Sequence, residues 1–181
     1  MRRVSFKGMD CSIAQTLEIV GEWWTLLIVR DAFLGVRRFD VFQARLGIAR
    51  NVLTNRLDRL VEHGVLMRVP YQDRPVRHEY RLTDKGQDLF HLLTAMRQWG
   101  DKWAVPAGGP PLQLVHDGCG QLADAVPVCS VCGEQLSPHN VHTVPARPGS
   151  VPLPELPDPA SAGAGQPPAG SSRGRGMTGQ A

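Results

Sequence analysis

Apolar residues recur at helical spacing through the first sixty positions, switch to alternation, and then return to helical spacing. Ser12 with Gln15 forms a capping box ahead of Ile13, Leu17 and Val20. A helix is therefore expected from Ser12 to about Val20, ended by Gly21. The run WWTLLIVRDAFL, residues 23–34, is apolar on nearly every side, the pattern of a helix buried at the centre of a small domain and closed by Gly35. Phe39, Val41, Phe42 and Leu46 make a short third helix, and Gly47-Ile48 a tight turn. Leu53, Leu57, Leu60 and Val61 form the inner stripe of a fourth helix that stops at His63-Gly64.

Two alternating runs follow, VLMRVPY (65–71) and VRHEYRL (76–82), separated by Gln72-Asp73-Arg74-Pro75. They predict a β-hairpin with Arg74 at its tip. Thr83 is placed to cap a further helix, in which Leu89, Leu92, Met96, Trp99 and Trp103 follow at heptad steps. Phe90 and Leu93 widen that stripe beyond what a lone exposed helix tolerates; packing back on its own domain is the alternative, but a seam ending in two tryptophans fits pairing between chains better, and the five seam residues are expected at a dimer interface. Composition then breaks at PAGGPP. The expected organisation is a domain over 1–104, a linker over 105–111, a small cysteine-bearing segment over 112–144 and a tail over 145–181. Of the tail's 37 residues, 21 are Pro, Gly or Ala and none is aromatic, so it lacks the means to build a core and is expected to be disordered.

The order of helices, glycine turn and hairpin is that of a winged helix-turn-helix, mainly α with a small β wing (α+β). Charge sharpens the picture. Net charge is only +3, but residues 37–81 carry ten arginines against five acids, whereas residues 105–181 carry three against five. A basic patch confined to that middle segment suits a polyanion, and the helix-plus-wing arrangement suits duplex DNA. With the leucines inward, Asn51, Asn55 and Arg59 turn outward, with Val52 and Asp58 at the margins. Asn can bridge adenine, Arg can fork onto guanine or phosphate, and Val52 can touch a thymine methyl. Arg37, Arg38, Arg50 and Arg56 are expected phosphate contacts, and Thr54, Arg74 and Arg77 complete the DNA-binding set. No phosphate loop, cofactor fingerprint or catalytic triad is spelled, so an enzyme is not expected. No targeting or membrane-spanning stretch is read, and a cytoplasmic protein is expected.

These residues resemble a known family. Cys11 to Leu17, Gly21, Trp24 to Ile28, Arg30-Asp31, Arg38-Phe39, Leu53-Thr54, Arg56-Leu57, Leu60, Gly64 to Leu66, Tyr71, Arg74-Pro75, Tyr80 to Gly86 and Trp99 to Trp103 closely resemble HxlR-type winged helix-turn-helix regulators. The resemblance covers residues 11 to about 104. It implies a dimeric, MarR-like transcriptional regulator, commonly a repressor, bound to an inverted-repeat operator and dimerised through its terminal helices, with a small-molecule or oxidant effector. One departure stands out: many members place Ser-Pro where this chain has Ala49-Arg50, so a side-chain helix cap is lost and an arginine gained.

The four cysteines divide. His116-x-x-Cys119-Gly120 and Cys129-x-x-Cys132-Gly133 each resemble half of a zinc ribbon, and three thiolates with one imidazole make a closed tetrahedral set. Structural Zn²⁺ is the expected cofactor, with His139 and His142 as rival fourth ligands and unmetallated thiols as the alternative. Cys11 is left over, just before the expected Ser12 cap. It is either a small buried hydrophobe or a thiol activated by a helix N-terminus. Its position matches the cysteine that some HxlR-type regulators use to sense oxidants. The alternative to a DNA-binding regulator is a winged-helix and zinc-ribbon scaffold for protein partners, or a thiol redox protein.

Overall fold

A computed structural model of the chain describes residues 5–104 and 108–147. It divides into two units, Met1–His139 and Asn140–Ala181. The described part of the second, residues 140–147, forms no helix or strand. Most of the expected tail lies outside the described residues, as do residues 105–107 of the expected linker.

The first unit runs α1 (Ser12–Val20), α2 (Trp23–Phe33), α3 (Phe39–Leu46), α4 (Arg50–Glu62), β1 (Leu66–Asp73), β2 (Val76–Leu82), α5 (Asp84–Gln87), α6 (Leu89–Trp103), β3 (Val115–His116) and β4 (Gln121–Leu122). This is a winged helix-turn-helix with a small two-hairpin appendage. One core serves it: Ile28 and Val29 of α2, Phe42 of α3, Leu53, Leu57 and Leu60 of α4, and Val65 and Leu66 at the wing's base are all buried. Leu89 and Leu93 pack against that cluster from α6. Leu89 therefore faces its own core rather than the expected seam.

Local chemistry explains most of the boundaries. Gly47 ends α3 in the left-handed region, φ 62°, with its N–H on Gln43 O, which turns the chain sharply into α4. At the far side of the wing, the Thr83 hydroxyl donates to Gly64 O at 2.6 Å and accepts from the Gly86 N–H at 3.1 Å. The expected Thr83 cap is thus present, and it also ties the wing's exit to the end of α4. Thr83 opens only the short α5, however; the chain re-starts as α6 after Asp88.

The expected capping box is not formed. Cys11, not Ser12, is the N-cap of α1, and Gln15 Nε2 donates instead to Phe6 O and Met9 O, fastening the N-terminal arm. The Glu18 carboxylate accepts from the Phe6 N–H at 2.9 Å and holds the same arm. Nor is α2 buried on all sides, since Trp23 at its start is 90% exposed. Its one fully buried acid, Asp31, accepts from Arg30 Nε and Nη2 at 3.0 and 2.8 Å and from Arg45 Nε at 3.2 Å, which links α2 to α3. A buried carboxylate satisfied by two guanidinium groups avoids the desolvation cost that an unpaired one would carry.

A Cβ at position 86 would lie 2.2 Å from Val65 O, a backbone atom that cannot swing aside. Gly86→Ala is expected to destabilise the domain by about 1–3 kcal/mol. A urea unfolding midpoint unchanged from the parent would contradict this packing.

Candidate nucleic-acid interface

The geometry of the interface begins with the leucines of α4. Leu53 and Leu57 are fully buried and Leu60 nearly so. With a period of 3.6 residues, that stripe turns Arg50, Asn51, Thr54, Asn55 and Asp58 to the opposite side, where they line one shallow hollow. Ala49 caps α4 without a side-chain hydrogen bond, as its residue type dictates. The Val52 N–H is taken instead by Asn51 Oδ1 at 2.9 Å. Thr54 Oγ1 donates back to Arg50 O, and Asn55 Oδ1 accepts from Arg56 Nη1 at 3.1 Å. Both asparagines keep their amide N–H groups and a second oxygen lone pair for an outside partner. Arg50 stacks on the Phe39 ring, 5.0 Å from its centroid, at the N-terminus of α4.

The wing is a two-stranded antiparallel ribbon in register Leu66↔Leu82 to Asp73↔Val76, so Arg74-Pro75 forms its tip. A third short strand edge joins it. Tyr80 N–H donates to Arg37 O, and Arg38 bridges Glu79 across the β2 edge. The register shifts between Pro70 and Gln72, and the Arg38 guanidinium lies 4.5 Å from the ring centroid of the intervening Tyr71. Arg37, Arg74 and Arg77 are exposed and have no ion pair among the described residues. Arg37, Arg50, Arg74 and Arg77 therefore supply positive charge around the α4 face, with Arg38 3.9 Å from the Glu79 carboxylate.

Three expected contacts are placed elsewhere. Arg56 donates to Glu22 Oε2 at 2.9 Å, is only 18% exposed, and ties α4 to the α1–α2 corner. Arg59 Nη2 donates to Glu18 O at 3.3 Å, holding α1. Val52 packs against the core. None of these three stands open on the α4 face. Asp58, set at the margin by the sequence pattern, lies on the face itself and pairs with Arg68 of β1. That pairing neutralises the one acid of the hollow, and the four-residue step from Thr54 to Asp58 is the signal that locates it.

The α6 seam is otherwise open. Leu92, Met96, Trp99 and Trp103 are 36%, 48%, 65% and 66% exposed, and Ile13 and Leu17 of α1 are exposed as well. Cys11 is exposed in the single chain.

In the appendage, His116 Nδ1 lies 3.3 Å from Cys119 Sγ. The backbone N–H of Cys132, then that of Val131, then the Cys132 thiol, hydrogen-bond the Cys129 sulfur and hold its pKa below the ordinary thiol value. The four expected ligands thus stand as two pairs. No three His, Cys, Asp or Glu side chains are gathered for a metal ion among the described residues.

Residues 19–107 match the HxlR-like helix-turn-helix family model. The chain is 49% identical over 134 residues to Rv3095 of Mycobacterium tuberculosis, an uncharacterized HTH-type transcriptional regulator, covering 74% of this chain and 85% of that one. The crystal structure of PA1607, a candidate transcription factor, superposes with a TM-score of 0.70 at 40% identity, covering 78% of this chain and 99% of that one. PA1374 from Pseudomonas aeruginosa, likewise a candidate transcription factor, gives 0.55 at 42% identity, with 78% and 95% covered. A span of 78% is longer than residues 1–104, so these likenesses extend into the appendage.

Neighbouring positions 55 and 56 should behave oppositely. Asn55→Ala is expected to change unfolding free energy by less than about 0.5 kcal/mol, whereas Arg56→Ala, which removes the charged hydrogen bond from α4 to Glu22, should cost about 1–3 kcal/mol. Equal effects in chemical denaturation would contradict the placement of Arg56.

Proposed function

The chain belongs to the HxlR-like helix-turn-helix family, and on that premise we propose that it is a homodimeric, sequence-specific DNA-binding transcriptional regulator that represses from an inverted-repeat operator. The observation that carries this reading is the exposed α4 face. Four polar residues, Arg50, Asn51, Thr54 and Asn55, stand clear of the core on a helix of a diameter that fits the major groove. Asn51 and Asn55 offer amide groups to base edges, while Arg50 sits at the helix N-terminus, where phosphate is favoured. The wing tip, with Arg74 and Arg77, reaches the adjacent backbone. Arginine-to-phosphate contacts supply most of the affinity, and the asparagines supply the discrimination.

The α6 stripe supports the dimer. Two tryptophans more than half exposed on one helix face are costly in water and are covered when two copies pair. Two-fold pairing sets the recognition helices one helical turn of DNA apart, about 34 Å, or a multiple of it, which is why the operator is an inverted repeat. Repression follows from occupying the operator against polymerase. An oxidant or small-molecule effector relieves it, and Cys11, exposed at the N-cap of α1, is the thiol assigned to that response. In this reading the protein acts by binding and catalyses no reaction. No helix among the described residues is long and apolar enough to cross a membrane, and the chromosomal target places the protein in the cytoplasm.

Binding to fragments around its own gene, followed by fluorescence anisotropy, is expected to fall steeply with salt. Arg74→Ala should weaken all fragments alike and lower the salt slope by about one per bound protomer. Salt-insensitive binding, or none to any genomic duplex, would favour the protein-scaffold reading instead. In sedimentation equilibrium the parent should run at twice the mass of one chain and Trp99→Glu at once; a monomeric parent would contradict the dimer. Peroxide should alter operator binding by the parent and leave Cys11→Ser unaffected; an equal response in both would remove Cys11 from the account.

A further inference from the structure

Residues 108–139 form two hairpins without a hydrophobic core. Every described side chain there is exposed or half-exposed, and Leu112, Val115, Leu122, Val126, Val128 and Val131 are all more than half exposed. So short a segment rarely holds a defined fold by apolar burial and usually needs a metal or disulfides to do so. All three cysteines of the segment are free thiols.

The two hairpins carry the same device. In the first, Val115↔Leu122 and His116↔Gln121 pair, and the Gly120 N–H donates to His116 O at 2.8 Å with Gly120 at φ 68°. In the second, Val128 bridges Gln135, and the Gly133 N–H donates to Cys129 O at 2.9 Å with Gly133 at φ 77°. Each is thus a donor-x-x-donor-glycine turn in which the glycine alone allows the left-handed step. At both tips the two donors already converge. His116 Nδ1 and Cys119 Sγ are 3.3 Å apart, close to the roughly 3.5 Å that separates nitrogen and sulfur on one tetrahedral zinc. Gly118 makes this possible, since a Cβ there would stand 2.9 Å from the His116 ring. Cys129 and Cys132 hydrogen-bond through their side chains, and the backbone N–H groups of Val131 and Cys132 point at the Cys129 sulfur. Two independent stretches of sequence have folded into the same chelating turn.

We propose that His116, Cys119, Cys129 and Cys132 bind one structural Zn²⁺ that joins the two hairpins. The pairs are not gathered into one group in the structure, so binding entails bringing one hairpin to the other. The link between them, residues 123–127, makes backbone hydrogen bonds only at its two ends, through the Ala123 N–H to Leu114 O and Pro127 O from the Leu136 N–H. Closing it breaks no other backbone hydrogen bond among the described residues. On binding, the three thiols release three protons, and the ion sits among three thiolates and a neutral imidazole with no open position for catalysis. The appendage touches the DNA-binding domain at α6, where Arg97 pairs with Asp101 at 2.6 Å and reaches Leu112 O at 3.5 Å and Asp124 at 4.0 Å. A zinc-fastened appendage would therefore act beside the helix that carries the exposed tryptophans.

The inference stands apart from DNA binding, and its test uses no DNA. The reduced full-length chain is titrated with Co²⁺ and then Zn²⁺, following the thiolate-to-cobalt charge-transfer band and tetrahedral d–d bands. An end point at about one ion per chain, with Cys11→Ser unchanged and Cys129→Ser at least ten-fold weaker, is the expected result. Chelation should then open residues 108–139 to protease while residues 5–104 stay resistant. An end point at or below about half an ion per chain, or Cys129→Ser binding like the parent, would overturn the site. So would loss of the ion in His139→Ala or His142→Ala rather than in His116→Ala. A chain that takes zinc and ignores DNA upholds this site and defeats the regulator reading.

Discussion

The rotation of one helix about its axis is the constraint on which the rest of the molecule depends. Leu53, Leu57 and Leu60 occupy the centre of the core, and fully burying such side chains is worth about 1.5–3 kcal/mol each. Turning α4 by even one residue step, 100°, would exchange leucines for polar groups in a close-packed interior. The outer face is therefore set by the inner one. Arg50, Asn51, Thr54 and Asn55 are presented to solvent because the leucines are not free to be.

The neighbouring arginines divide between holding that helix and serving its outer face. Arg45 fastens α3 to the buried Asp31, Arg56 and Arg59 fasten α4 to α1 and its corner, and Arg68 holds Asp58. Arg81 folds onto Glu79. With Arg38 sharing Glu79 at 3.9 Å, six of the ten arginines between residues 37 and 81 are engaged inside the domain. The remaining positive charge is carried by Arg37, Arg50, Arg74 and Arg77, arranged from the start of α3 to the wing tip. A net charge counted along the sequence overstates the positive charge left unmatched at the surface.

The elements were legible because their signals are local. The 3.6-residue stripe of α4, the glycine at 47, the alternation on either side of Arg74 and the threonine cap at 83 each act within a few residues, and all are where the pattern puts them. What the pattern missed depends on distant partners. Arg56 meets an acid 34 residues earlier and Arg59 a carbonyl 41 residues earlier, and no local spacing announces either. Gln15 left the capping box for carbonyls of the N-terminal arm, and Cys11 took the cap by backbone position alone. The exposed face of α4 was legible to the extent that it follows from helix rotation. The residues at its edges were sorted by tertiary pairing.

In the proposed reading, base discrimination resides in the α4 face rather than in the charge around it. Enrichment of bound duplexes from a random-sequence library, performed with the parent and with Asn55→Ala, tests it most directly. One inverted-repeat motif is expected for the parent and, for Asn55→Ala, relaxed preference at one symmetry-related pair of positions with the rest retained. No enriched motif for the parent, or an identical motif for Asn55→Ala and Asn51→Ala, would contradict it.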